Sequence, residues 1–297
     1  MSDAPLVRAD VCFGTLVTIT TVNDTPLAAS AIDAAFEWFR RVDTACSRFD
    51  PSSELRRLID RVGEPVEVSD LLFEAARFAL AMAEETDGAF DPTVGRLMER
   101  RGFNRRHTTG ELVNTIAAVP DVSWHDVVCD PESRTLTLQR PLVLDLGAVA
   151  KGMAVDLAAQ ELRECRDFAI DAGGDLYFGG HRADGEAWTV GIRHPRQEDS
   201  VIDTLHLSDA AVCTSGDYER RTHDGHHIVD PRTGGVANGL ASATVVGPTA
   251  MLADAAATAA FVLGASEGLD LCARLGLQAV LVDERMHIHA TAEVPRA

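Results

Sequence analysis

Two hydrophobic periods divide this chain. In "VCFGTLVTITTV" (11–22) apolar and polar positions alternate, which predicts a strand. Next, "PLAASAIDAAFEWFRRVDTACSRF" (26–49) spaces its apolar residues as a helix does, up to the Phe49-Asp50-Pro51 break. Ser52 and Ser53 can cap a short helix, "ELRRLID", and Ser69 a longer one, "DLLFEAARFALAMAEET", which Gly88 closes. The stretch "ERRGFNRRHTTG" (99–110) reads as a basic loop or helix end, either a solvated turn or a contact for an acidic partner. Strands are predicted near 127–138 and 142–145, then a helix from about 149 to 164. A β-rich half follows, in short runs split by Gly, Pro and Asp: "DFAIDAGGDLYFGG", "AWTVGIRHP", "DTLHLS", "AAVCTS" and "HHIVDP". A helix over "MLADAAATAAFVLG" (251–264) and another over 266–275 lead to a terminal strand pair, "QAVLVDE" and "MHIHATA". Helices and strands mix without a regular βαβ period and without repeats, which predicts an α+β fold.

One of these segments is apolar on every side. Within "MLADAAATAAFVLG" the polar exceptions are Asp254 and Thr258, four residues apart and therefore on one helix face. A buried carboxylate left unpaired costs several kcal/mol, so it is normally paired, neutralised or metal-bound. Two oxygen ligands on one face suggest a hard divalent cation.

Composition narrows the partners. The chain has 297 residues, 46% hydrophobic and 25% charged, enough for a core of one large two-lobed unit or two ordinary domains. With 46 acidic against 27 basic residues the formal charge is −19, and no basic run tracks a phosphate backbone, so a nucleic-acid partner is excluded. Any anionic ligand must then rely on local positive charge from a metal, a lysine or a helix N-terminus. The N-terminal "MSDAPLVRADVCFGT" lacks the basic and apolar regions of a signal peptide, and no apolar run has membrane-spanning length. The six cysteines show no CxxC spacing and read as reduced and structural; the expected compartment is the cytoplasm.

Four other stretches carry candidate chemistry. In "LDLGAVAKGMAVD" (144–156) an apolar run ends at Asp145 and a glycine-bounded turn opens a helix. Gly147 and Gly152 let backbone N–H groups approach a ligand, and Lys151 with the helix N-terminus supplies positive potential, a cradle for phosphate. It is not a Walker A loop, because the lysine precedes its glycine; an ordinary glycine turn with Asp145 as a cap remains the alternative. In "HHIVDPRTG" (226–234) a neutral histidine can serve as general base. The rival is a zinc site of His223, His226, His227 and Asp230, against which adjacent strand residues point to opposite faces. "TDGAFDPTVGRL" (86–97) holds Phe90 and Asp91 between Gly88 and Pro92, as a helix cap followed by a turn would. His287 and His289 share a face of an end strand, as solvated residues commonly do.

In order and spacing, seven blocks of this sequence resemble the ApbE family, the FAD:protein FMN transferases: "SRFDPSSELRRL", "TDGAFDPTVGRL", "LDLGAVAKGMAVD", "DAGGDLYFGG", "TSGDYERR", "HHIVDPRTG" and "SATVVGPTAMLADAAATAAFVLG". They run from about residue 11 to about residue 283, nearly the whole chain. The resemblance implies one two-lobed α+β flavin transferase domain over residues 1–297, with mixed or antiparallel sheets flanked by helices and FAD between the lobes. It implies transfer of FMN from FAD to a Thr or Ser hydroxyl of an acceptor flavoprotein, release of AMP, and a requirement for Mg²⁺. By that resemblance Asp254, Thr258 and the carbonyl of Ala148 bind the metal; His227, directly before the Ile-x-Asp-Pro turn, is the candidate base for the acceptor hydroxyl. Phe13, Phe49, Ala89, Phe90, Asp91, Asp145, Lys151 and Ile228 contact FAD, and Thr214, Ser215 and Asp217 line its pocket. Two features depart from the family pattern. Cys12 lacks the apolar leader of a lipoprotein, so the expected target is cytoplasmic or is flavinylated before export. Phe13 stands where the family usually carries methionine. The rival functions are an FAD pyrophosphatase, with water as acceptor, and an FAD storage protein without turnover.

Overall fold

In the computed structural model, residues 4–106, 109–113, 121–223 and 225–296 are described. The strand predicted over 11–22 is a hairpin, β1 (Leu6–Cys12) and β2 (Thr15–Thr21). Its two loop residues, Phe13 at φ 52° and Gly14 at φ 72°, take the left-handed conformation that a tight two-residue turn requires. Thr25 caps α1 (Pro26–Cys46) by accepting the Ala28 N–H, and Ile32, Phe36, Phe39 and Val42 form its buried face. The helix stops at Cys46 rather than at Phe49, which frees Arg48 and Phe49 for other contacts. Ser53 caps α2 (Glu54–Ile59), and Ser69 caps α3 (Asp70–Glu85) beyond the short strand β3 (Val66–Glu67), as their positions in the sequence predict.

A helix that the pattern did not reveal, α4 (Gly95–Arg100), follows. Strands β4 (Val127–Asp130) and β5 (Thr135–Leu138) form a small sheet with β3. The strand predicted over 142–145 joins no ladder: its one bridge is parallel, Val143 to Val94. This segment is nonetheless buried, and Gly95 and Asp145 donate to the carbonyls of Val143 and Pro92, so the two glycine-turn motifs of the sequence lie side by side. Helix α5 (Gly147–Glu161) starts ahead of the predicted 149 and absorbs the glycine turn.

Strands β6 (Phe168–Ala172), β7 (Asp175–Gly179), β8 (Trp188–Arg193), β9 (Val201–Leu207) and β10 (Ala210–Gly216) match predicted runs. The run 226–231 does not form a strand: the two-residue pair β11 (Arg221–Thr222) and β12 (Gly225–His226) reaches its start, and Val229 makes an isolated bridge to Val236. Strand β13 (Leu240–Gly247) escaped the alternation test because it is buried on both faces from Leu240 to Val246. Helix α6 (Ala250–Leu263), helix α7 (Ala265–Arg274), and strands β14 (Gln278–Asp283) and β15 (Ile288–Ala290) complete the order.

Eight strands form one sheet in the order β1-β2-β6-β7-β10-β13-β14-β15, antiparallel at every neighbour. Val17, Ile19, Ile170, Ala211, Cys213, Ala243 and Val245 join the core built with α1, α3, α5 and α6. From the opposite face Val212, Val246 and Val280 pack on Val190, Ile192, Leu205 and Leu207 of the β8–β9 hairpin. Helices segregated to one face of an antiparallel sheet make the fold α+β, as expected. Among the described residues, no helix is long and apolar enough to cross a membrane.

Candidate functional site

The site begins where α5 and α6 cross. Gly152 lets the two backbones touch: a Cβ there would lie 2.6 Å from the Ala250 carbonyl and from the Met251 Cα. On α6, Asp254 is 7% exposed, and its Oδ2 is buried with no hydrogen-bond partner among the described residues. Burial raises its pKa above the ordinary carboxylate value, against the charges of Lys151 and Arg220. One turn on, the Thr258 hydroxyl lies 3.1 Å from the hydroxyl of Ser215, which β10 directs to the same side as Cys213. On α5, Ala148 has φ −87° and ψ 15°, outside the helical well, so its carbonyl is turned off the axis. A carboxylate, a hydroxyl and a backbone carbonyl are hard oxygen donors of the kind Mg²⁺ takes, and the Asp254 oxygen without a partner among the described residues is an atom that such a cation would satisfy. Lys151, three residues beyond Ala148, forms an ion pair with buried Asp175, so the pair is neutral as a unit.

A second cluster adjoins it, built around Arg48, which is only 4% exposed. Its Nε donates to Asp145 Oδ2 (2.9 Å), its Nη2 donates to the Phe103 carbonyl (3.0 Å), and its guanidinium lies 4.2 Å over the Phe49 ring. Asp145 Oδ1 accepts the Gly147 N–H at 2.9 Å. Burial pushes Asp145 up, but the Arg48 charge and these hydrogen bonds outweigh it and hold the carboxyl below its ordinary value. Asp145 is thus the cap of the glycine turn as well as the counter-ion of Arg48. Phe103 stands edge-on to the His227 ring at 6.2 Å. The His227 backbone N–H donates to the Arg220 carbonyl at 3.0 Å, while its ring Nδ1 is buried without a hydrogen-bond partner among the described residues. Burial first, then the Arg220 charge, lower the His227 pKa to about 4, so the ring is neutral at ordinary pH. The Arg220 charge is felt at Asp145, His227 and Asp254, which joins the two clusters electrostatically.

Other expected residues are buried or engaged with partners of their own. Phe13 packs edge-on against Phe39 of α1, at 6.4 Å. Asp91 accepts the N–H and hydroxyl of Thr93 through Oδ1 and the Trp124 N–H through Oδ2, so both its oxygens organise the turn. Ala89, Phe90 and Ile228 are buried. Strand alternation separates Thr214 from Ser215: Thr214 shares the opposite sheet face with Val212 and meets the Thr244 hydroxyl at 2.9 Å. Asp217 is held bidentately by Arg196, both contacts 2.6 Å. The zinc alternative loses His226, whose Nδ1 accepts the Ile228 N–H, leaving Nε2 to donate to the Ala237 carbonyl. Within the basic stretch, Glu99 and Arg100 end α4, Arg106 pairs with Asp50, and residues 107–108 lie outside the described residues.

The order of these parts along the chain is that of a known family. A family model described as the ApbE family matches residues 13–281. The chain belongs to the ApbE family. This ApbE chain is 31% identical over 327 residues to an FAD:protein FMN transferase of Treponema pallidum, covering 97% of the chain and 87% of that protein. It is 30% identical over 263 residues to one of Vibrio cholerae, covering 84% of the chain and 77% of that protein. Among solved structures, the ApbE protein of Thermotoga maritima superposes with a TM-score of 0.86 at 33% identity, over 97% of both chains.

Sequence reasoning about this ApbE member missed Arg48, Phe103, Asp175 and Arg220 as site residues. Arg48 and Arg220 lie inside "SRFDPSSELRRL" and "TSGDYERR", yet a charge in a local pattern does not announce that it will be buried or act on a histidine. Phe103 lay in the basic stretch, where a lone aromatic among arginines was the available signal.

Proposed function

We propose that this chain transfers the FMN half of FAD to a Thr or Ser hydroxyl of an acceptor flavoprotein, releasing AMP, with Mg²⁺ as cofactor and the whole chain acting as one domain. Besides family membership, one observation carries this function: a buried carboxylate oxygen of Asp254 without a hydrogen-bond partner among the described residues, one helical turn from Thr258. Asp254, Thr258 and the Ala148 carbonyl would hold the metal. When bound, Mg²⁺ neutralises pyrophosphate charge and favours the charge that develops during in-line displacement. Because Lys151 is already matched by Asp175, the uncompensated positive charge falls to the metal and to Arg220. Phe49, Phe90 and Ile228 supply apolar surface for rings, and Ser215 holds Thr258 in place.

His227 accepts the proton of the acceptor hydroxyl at Nδ1, the nitrogen without a hydrogen-bond partner among the described residues. The hydroxyl oxygen forms a bond to the FMN phosphorus as the bond from that phosphorus to the AMP oxygen breaks. AMP is a good leaving group and needs no general acid. Incubation with FAD and Mg²⁺, with and without a flavin-acceptor domain, tests this. Covalent fluorescent acceptor formed in step with AMP is expected. AMP release that ignores the acceptor would establish a pyrophosphatase instead, and binding of FAD without AMP would establish storage.

A further inference from the structure

We propose that Asp156 is a positioning residue, which clamps the N-terminus of α6 onto α5 and so sets the separation of the Ala148 carbonyl from the Asp254 carboxylate. Its Oδ1 accepts the Ala250 N–H at 2.6 Å and its Oδ2 the Met251 N–H at 2.9 Å. These are two of the donors that every helix N-terminus leaves unsatisfied within its own turn. A local cap is already present, because Thr249 Oγ accepts the Leu252 N–H at 3.4 Å. Asp156 differs from that cap in coming from another helix: its bonds tie two elements together as well as ending one.

The spacing gives the clamp its consequence. Ala148, Gly152 and Asp156 recur every four residues along α5, and Ala250, Asp254 and Thr258 do so along α6. The contact of Gly152 with Ala250 therefore lies one turn from Ala148 on one side and one turn from Asp254 on the other. A slide of α6 by a single residue is about 1.5 Å, enough to spoil Mg²⁺ geometry, which tolerates little deviation from distances of about 2.0–2.1 Å. Gly152 permits the close crossing, and Asp156 fixes its register. Burial pushes the Asp156 carboxyl up to about 6, partly opposed by the two N–H donors. A carboxylate desolvated to that extent is a costly way merely to end a helix that Thr249 already caps.

This inference rests on the metal reading of Asp254 and Thr258. The test uses full-length protein and Mn²⁺ alone, without FAD, with affinity read by electron paramagnetic resonance and stability by thermal melting. Asp156→Asn keeps the side-chain size but has one acceptor oxygen, with its amide facing the other N–H. It is expected to weaken Mn²⁺ binding about 10-fold or more, the scale seen when groups that orient metal ligands are lost. Thr249→Ala removes the local cap; it is expected to lower the melting temperature but to leave Mn²⁺ affinity within about twofold. Equal weakening in both variants would reduce Asp156 to a helix cap, as would unchanged affinity in Asp156→Asn. If Asp156→Asn does not fold, Asp156→Glu keeps both acceptor oxygens on a longer arm and must weaken binding more than Thr249→Ala does, or the proposal fails. An Asp254→Ala variant separates the two levels. If it binds Mn²⁺ as the unaltered protein does, the metal reading falls and this inference with it. If it alone loses Mn²⁺, only the positioning role of Asp156 falls.

Discussion

Two side-chain atoms dominate at the residue scale, Asp254 Oδ2 and His227 Nδ1, each buried and without a hydrogen-bond partner among the described residues. On the proposed metal reading, Asp254→Ala is expected to abolish Mg²⁺-dependent AMP release while leaving the fold intact, checked by turnover beside circular dichroism. His227 needs no partner to stay neutral, because burial and Arg220 already hold its pKa near 4. His227→Ala is therefore expected to spare FAD affinity and to slow turnover by about 10²–10⁴-fold, measured by flavin titration and AMP release. The same shift fixes a pH response. The folded His227 binds a proton less tightly than the unfolded chain, whose value is near 6.5, so its contribution to stability is present above 6.5 and lost as pH falls from there toward 4. The acid limb of the rate profile is expected near 4, and a limb near 6.5 would remove His227 as the base.

At the scale of elements, the site is a set of junctions. Arg48 follows α1, Asp145 precedes α5, and Phe103 follows α4, and one buried guanidinium bonds to both of the others. Removing one partner of such a pair leaves the other buried and uncompensated, which costs about 3–5 kcal/mol. Arg48→Met is expected to destabilise the protein by that amount in urea unfolding. It is also expected to disturb Asp145, and with it the glycine turn at Gly147 that opens α5. The α5–α6 crossing is a junction of another kind, made by small residues and a shared carboxylate.

Charge is the property that belongs to the whole molecule. At −19 the protein would repel a pyrophosphate ligand over long range, while on the proposed reading Arg220, whose charge is felt at Asp254, would attract it at close quarters. Raising ionic strength from about 10 mM to about 150 mM shortens the screening length from about 30 Å to about 8 Å, which suppresses the long-range repulsion more than the local attraction. The association rate constant of FAD without metal is expected to rise over that range, measured by stopped-flow flavin fluorescence. A fall would mean that the local field governs approach as well as binding.

The sequence by itself determined the parts whose signals are local. Helical spacing with Ser53 and Ser69 as caps located α2 and α3, and the isolated polar pair in an alanine-rich run marked Asp254 and Thr258. The order of the glycine-rich blocks, which depends on no contact, was enough for the family. Other features were decided by the tertiary structure alone. Strand β13 gave no alternation because both its faces are covered, and Thr214 parts from Ser215 because the sheet has two sides. Arg48 with Asp145, Lys151 with Asp175, and Asp156 with the start of α6 join residues far apart in sequence. Side-chain period and capping act over a few residues, whereas burial and charge pairing depend on which distant segments pack together.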